Sequence, residues 1–296
     1  MIPLDDWRGA ARVAMIGGYR IAWWADGEQD DNRPNLLLIH GYPTSSWDWT
    51  AMWRPLSAHF RLIAADMLGF GLSDKPKTIG YSILAQADLQ EALLAQAGLA
   101  EAHILAHDYG DTVAQELLAR QNEGSLSFLI RSVCFLNGGL FPEQHRARPI
   151  QKFGLSPLGP LLSVLMSKDR LRAGLDEIFG PRTKASDAEI DAHWTMINEK
   201  GGRFILHKLL HYIPERIARR DRWVGALKNA KVPLRLIDGG ADPVSGAHLY
   251  AYYREQIPNA DAALLPEIGH YPQTEAPAET LRLFLEFHRK MRTLAA

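Results

Sequence analysis

The stretch LAHDYGDTVAQE, residues 105–116, decides how the chain is read. An apolar run ends at Leu105–Ala106, a tight cluster follows, and a helix-like pattern begins after it. Inside it, Ala106-His107-Asp108-Tyr109-Gly110 has the small–x–nucleophile–x–small spacing of a sharp strand-to-helix elbow. Such a turn exposes its central side chain from a strained backbone, and small residues on either side avoid clashes. The central position, often a serine in such turns, is here Asp108. The pattern is short, and an aspartate at that point also suits a plain helix N-cap. What surrounds the turn has to decide between the two.

Outward from the elbow, continuous apolar runs recur: LLLIH (36–40), RLIAAD (61–66), AHILAH (102–107) and RSVCFLN (131–137). These are the runs that buried parallel strands show. Helical stretches lie between them, such as residues 82–98 with Gly98 as a C-cap. Strands alternating with helices predict βαβ units and a parallel sheet. Before them, Arg12–Ile16 and Tyr19–Ala25 flank Gly17-Gly18, a hairpin pattern, and a polar loop spans Asp26–Asn35. The rhythm breaks after Asn137. Residues 138 to about 225 hold helical segments, among them 187–198 (with Ser186 as N-cap) and 204–220, and no clear strand. It resumes at PLRLIDGG (233–240) and AALLP (262–266), and an amphipathic helix of about 276–292 follows. The expected organisation is an α/β core of residues 1–137 and 226–296, interrupted by a helical block at 138–225.

In a doubly wound sheet, sites form at the C-terminal ends of the strands. After LLLIH comes Gly41-Tyr42-Pro43, where the Tyr42 amide could join that of Tyr109 as an oxyanion donor. After PLRLID comes Gly239-Gly240-Ala241-Asp242-Pro243, a carboxylate on a glycine-rich turn. After AALLP comes Glu267-Ile268-Gly269-His270, a histidine on a loop. The order Asp108, Asp242, His270 is nucleophile, acid, histidine. Asp238 competes with Asp242 but sits at a strand end. His107 is expected to point away into the sheet region, and His40 to shape the oxyanion loop as a residue of the substrate-binding site.

Composition removes other classes. Apolar residues make up 47% of the 296, enough for a large core. A net charge of −1 gives no basic excess for nucleic acid. The run Arg216, Arg219, Arg220, Arg222 is local and reads as a solvated helix face. The single Cys134 sits in an apolar run, so it reads as a buried structural thiol and favours a reducing compartment. The start MIPLDDWRGA has acids where a signal peptide needs a basic region, and no run has the length of a membrane span. A cytoplasmic protein is expected. No cysteine–histidine spacing suggests a metal.

Together, HGYP (40–43), DMLGFGLSDKP (66–76), AHDYG (106–110), GGADP (239–243) and GHYPQTEAP (269–277) resemble the epoxide hydrolase and haloalkane dehalogenase branch of the α/β-hydrolase superfamily. HDYGDTVAQELLAR, NGGLFPEQHR and RRDRWVGAL resemble a vertebrate group within it. The resemblance implies an α/β-hydrolase fold with 138–225 as a lid, and a small apolar organic substrate. An aspartate with an ordinary pKa of about 3.9 is already ionised and can attack saturated carbon directly, giving an ester on itself. His270, oriented by Asp242, would then activate water against that ester, with no metal or organic cofactor. Dehalogenases of this branch usually carry Asn in the HGxP motif and Trp after the nucleophile. Tyr42 and Tyr109 stand there instead, which favours an epoxide. Epoxide hydrolases usually place two lid tyrosines over the ring. HYIPER matches the region of one, making Tyr212 the donor candidate, with His145, His193 or His211 for the other. Trp194 is a candidate pocket wall or halide donor. The aromatics of the block could line a pocket or a homodimer interface.

Overall fold

The computed structural model describes residues 1–27 and 32–295. Among them, eight strands form one sheet: β1 (Arg12–Ile16), β2 (Tyr19–Asp26), β3 (Asn35–Ile39), β4 (Arg61–Ala65), β5 (Glu101–His107), β6 (Leu129–Leu136), β7 (Leu234–Gly239) and β8 (Asp261–Leu265). Their order is β1-β2-β4-β3-β5-β6-β7-β8. The β1–β2 and β2–β4 pairs are antiparallel and the remaining five pairs parallel. The apolar runs are strands because helices cover both faces of the sheet. In β3, Leu36–Ile39 are all 0% exposed, with Leu37 and Ile39 in one core cluster and Leu36 and Leu38 in the other. The hairpin closes at Gly17 and Gly18, both at positive φ, as a two-residue turn between twisted strands requires. Of the polar loop expected at 26–35, residues 28–31 lie outside the described residues.

The helix Ile83–Gln96 starts at Ser82, whose side chain accepts from the Ala85 amide. Gly98 stands one place beyond the Ala97 cap, at φ +68°. Asp187–Asn198 forms as expected, with a reciprocal Ser186–Glu189 capping box. The segment 204–220 does not form one helix. It breaks into Leu206–Leu209, Tyr212–Ala218 and the start of Arg220–Lys228. Pro214 has no amide for the Leu210 carbonyl one turn back, so a continuous helix cannot be bonded there.

The insertion between β6 and β7 is helical. Its last helix, Arg220–Lys228, packs on the elbow helix Tyr109–Glu123 in the core layer. The boundary at 225 therefore falls inside a core helix. Cys134 is free and fully buried, and burial pushes its thiol pKa up.

Candidate active site

β5 ends at His107, and Asp108 turns the chain into the helix Tyr109–Glu123. Asp108 has φ +50° and ψ −105°, a conformation an aspartate holds only when its surroundings impose it. The reason is local. A Cβ at Gly110 would lie 2.4 Å from the Ile39 carbonyl oxygen, and one at Gly41 would lie 2.7 Å from the His107 ring and 2.9 Å from the Asp108 Cβ. The β3 and β5 ends meet too closely for side chains there. The N-cap alternative fails, since the Asp108 side chain makes no cap hydrogen bond. Its Oδ2 instead accepts from the Tyr42 amide at 3.0 Å. Tyr109 is the first residue of the helix, where backbone amides have no partner within the helix.

His270 faces Asp108 with Nε2 3.9 Å from Oδ1. Its Nδ1 donates to Asp242 Oδ2 at 2.7 Å. All three residues are at least 95% buried. Burial opposes charge on His270, but the adjacent Asp242 carboxylate outweighs it, with help from Asp108, and the pKa rises to about 9. For Asp242, burial is again the largest opposing effect. His270 and the donors Val244 N and Ser245 Oγ overcome it and hold the pKa at about 2.

Several residues that hold this arrangement escaped the reading of the sequence. Asn137, at φ +39°, accepts from Gly239 N at 2.6 Å and donates to Asp242 Oδ2 at 3.2 Å. Ser245 donates to the same carboxylate through amide and hydroxyl. Glu275 gathers amides from the histidine loop, Gly269 (2.9 Å) and Tyr271 (2.9 Å), and from the cap, Gly180 (2.7 Å). It also accepts from Thr183 Oγ1 at 2.5 Å. The His270 amide in turn donates to the cap carbonyl of Ile178. Asn137 following a strand and Glu275 five residues after the histidine are positional signals, but only the fold shows what each one bonds.

The other expected residues fall in different places. His40 is fully buried, bonded to the Gly41 carbonyl and accepting from Met67 N at 3.0 Å. It shapes the Tyr42 loop and is not among the residues lining the cavity. His107 does not point away into the sheet. Its Nε2 donates to the His270 carbonyl at 2.8 Å, and burial lowers its pKa to about 3, so it is a neutral tie. Trp194 is half-buried, packs on the core and is not a lining residue of the catalytic cavity. His193 is buried, 3.8 Å from Asp48 with its edge to Trp47; His211 is exposed. Asp238 is buried, and burial raises its pKa well above the usual carboxylate range.

Tyr212 is 1% exposed, its ring 5.0 Å from that of Tyr109 and 6.2 Å from that of Tyr42. Burial raises its pKa first, and the Asp108 charge adds to the rise. Arg216, expected on a solvated face, is 2% exposed. Its guanidinium lies 4.8 Å from the Tyr212 ring centre and donates twice to Thr112 Oγ1 on the elbow helix, at 2.6 and 2.9 Å. A third nitrogen reaches His145 Nδ1 at 3.5 Å. The rest of the basic run is paired: Arg219 with Glu215, Arg220 with Glu143, Arg222 with Glu116 and Glu123.

Asp108 and His270 open into a cavity of about 110 Å3, walled by Leu171, Leu175, Ile178 and Leu210 of the cap. The arrangement can present a carboxylate to an apolar molecule, with a histidine held ready behind it and amides beside it.

Comparison with known proteins bears on the family. The alpha/beta hydrolase fold family matches residues 34–277. The mesoderm-specific transcript homolog protein of Bos taurus is 40% identical over 295 residues, 96% of this chain and 87% of that protein. The putative hydrolase LipZ of Mycobacterium tuberculosis is 41% identical over 244 residues, 82% of this chain and 84% of that one. Bifunctional epoxide hydrolase 2 of Sus scrofa is a more distant relative, 23% identical across 86% of this chain and 51% of that one. In fold, the crystal structure of haloalkane dehalogenase DbeA from Bradyrhizobium elkani superposes with a TM-score of 0.78 at 22% identity, covering 96% of this chain and 99% of that one. With this sheet, this cap and these relatives, the chain belongs to the α/β-hydrolase fold family.

Proposed function

We propose that the protein is a cofactor-independent hydrolase that opens epoxides to vicinal diols through an ester on Asp108. One observation carries the reading: an aspartate occupies the elbow, with the Tyr42 amide on its carboxylate and a histidine–carboxylate pair behind it. A serine at that point would need a base to remove its proton, whereas a carboxylate attacks as it stands.

In the first step Asp108 attacks a ring carbon, the ring C–O bond breaks, and the Tyr212 hydroxyl gives its proton to the alkoxide; the proton on His270 replaces it, leaving Tyr212 neutral and His270 a free base. In the second, His270 takes a proton from water, and the hydroxide adds to the Asp108 carbonyl carbon. The amides of Tyr42 and Tyr109 hold the oxyanion; one such donor contributes about 2.7–4 kcal/mol in other enzymes. Collapse releases the diol oxygen, which takes the His270 proton. The new carboxylic acid gives its proton to His270, restoring the carboxylate and the imidazolium. Asp242 orients His270 and stabilises its charged form. The reading places the enzyme in the cytoplasm, acting on a small apolar substrate.

A halide could leave from the same centre with no proton donor, so a haloalkane or haloacid dehalogenase is the second reading. Tyr42 and Tyr109, standing where dehalogenases of this branch usually carry Asn and Trp, weigh against it; neither Trp194 nor Tyr212 is among the residues lining the cavity, so the lining favours neither reading. A fold retained for ligand binding alone is the third, and the complete triad weighs against that. Tyr212→Phe separates the first two. Its kcat on an epoxide should fall by about 10²–10⁴-fold, the usual contribution of a positioned acid, while ester formation from a haloalkane stays near the wild-type rate. An unchanged epoxide rate would remove Tyr212 from the mechanism.

A further inference from the structure

We propose that the cap docks on an anionic lipid surface through the face formed by its helices Pro149–Gly154 and Gly159–Leu165, and that apolar substrate enters the cavity from there. The entry route rests on the hydrolase reading above; the docking does not.

Among the described residues, eleven large apolar side chains are exposed, and five of them fall between 150 and 165: Ile150, Leu158, Leu161, Val164 and Leu165, at 40–60% exposure. Single exposed apolar residues need no explanation, but a cluster does. Leu158, Leu161 and Leu165 have the spacing of one helix face, and the two helices touch. The face is continuous with the catalytic cavity. Ile150 and Arg170 are both exposed and line it, as does Met166, next to Leu165. The cavity therefore opens onto this patch.

Charge selects the occupant. Residues 144–167 contain Arg146, Arg148 and Lys152 and no acid, although Arg148 is paired with Glu177 from the next helix, which leaves Arg146 and Lys152 as the cations of this stretch. Lys152 and Arg170 are exposed and have no ion pair among the described residues. Apolar side chains ringed by lysine and arginine suit the headgroup region of an anionic bilayer. Against a second copy of the chain, a two-fold contact sets the same patch on itself and brings these cations together. No described helix is long and apolar enough to cross a membrane, so the contact is interfacial.

The test is flotation of the full chain with vesicles of phosphatidylglycerol and phosphatidylcholine, and with phosphatidylcholine alone. Binding should favour the anionic vesicles. Lys152→Gln should lower the partition coefficient about fivefold, as one surface cation does, and Leu161→Glu/Val164→Glu should abolish binding. Leu161 and Val164 do not line the cavity, so the double variant should keep its far-UV circular dichroism and its turnover of a water-soluble epoxide. Failure of the wild type to float overturns the proposal. So does binding that the double variant retains, or a wild-type dimer that Leu161→Glu/Val164→Glu dissociates. Floating without epoxide turnover would leave the docking and remove the epoxide reading.

Discussion

At the residue scale, His270 carries the most readable electrostatics. Asp242 and Asp108 raise its pKa to about 9 against the cost of burial, so the resting site holds a cation between two carboxylates. Once Asp108 becomes an ester, one of those charges is gone, and His270 moves toward the neutral form that can accept a proton from water. The same shift sets a stability profile. A histidine whose pKa is raised by folding stabilises most when both states are protonated, below its unfolded value of about 6.5. That contribution fades as pH rises through about 9. Urea midpoints should therefore decline between pH 6.5 and 9, and His270→Gln should flatten the decline. A wild-type midpoint constant over that range would contradict the charge state described. Asp108, Asp242 and His270 were legible in the sequence because each follows a strand on a short, glycine-bearing turn. Arg216 was not. Four arginines in seven residues look like a wet surface, and only packing against the elbow helix reveals that Thr112 and the Tyr212 ring receive one of them.

At the scale of elements, the strands were legible to within two residues at their ends. A strand buried on both faces has no polar side to blur its apolar run. Within the cap, Asp187–Asn198 was legible from its apolar spacing and Ser186 at its N-cap, but residues 204–220 were not. Their apolar spacing is helical throughout, and Pro214 breaks the bonding without breaking that spacing. The link between cap and histidine loop was also hidden, because Glu275 meets Gly180 and Thr183 from more than 90 residues away. Glu275 accepts four hydrogen bonds joining the two. Glu275→Ala leaves buried amides without partners and should cost at least about 3 kcal/mol, the range for a single hydrogen bond to a charged acceptor being about 1.5–3 and the four lost here not adding in full. It should also lower kcat, since the loop carries His270. Denaturant midpoints and steady-state rates check both. A stable variant of normal activity would show that the Ile178–His270 backbone bond suffices.

At the scale of the whole molecule, a mostly parallel sheet brings the ends of β3, β5, β7 and β8 to one edge, and the cap closes an apolar cavity over them. The proposed reaction uses this edge for attack by Asp108 on carbon, ending in an ester of the enzyme itself. The measurement that tests this most directly is the intact mass of His270→Gln after exposure to mixed epoxides and, separately, to mixed haloalkanes. Lacking its base, the variant should accumulate the ester. The account predicts a gain equal to a whole epoxide, located on Asp108 by peptide mapping and absent in Asp108→Ala/His270→Gln. A gain equal to an alkyl group alone, or no adduct on Asp108 with either panel, would contradict it.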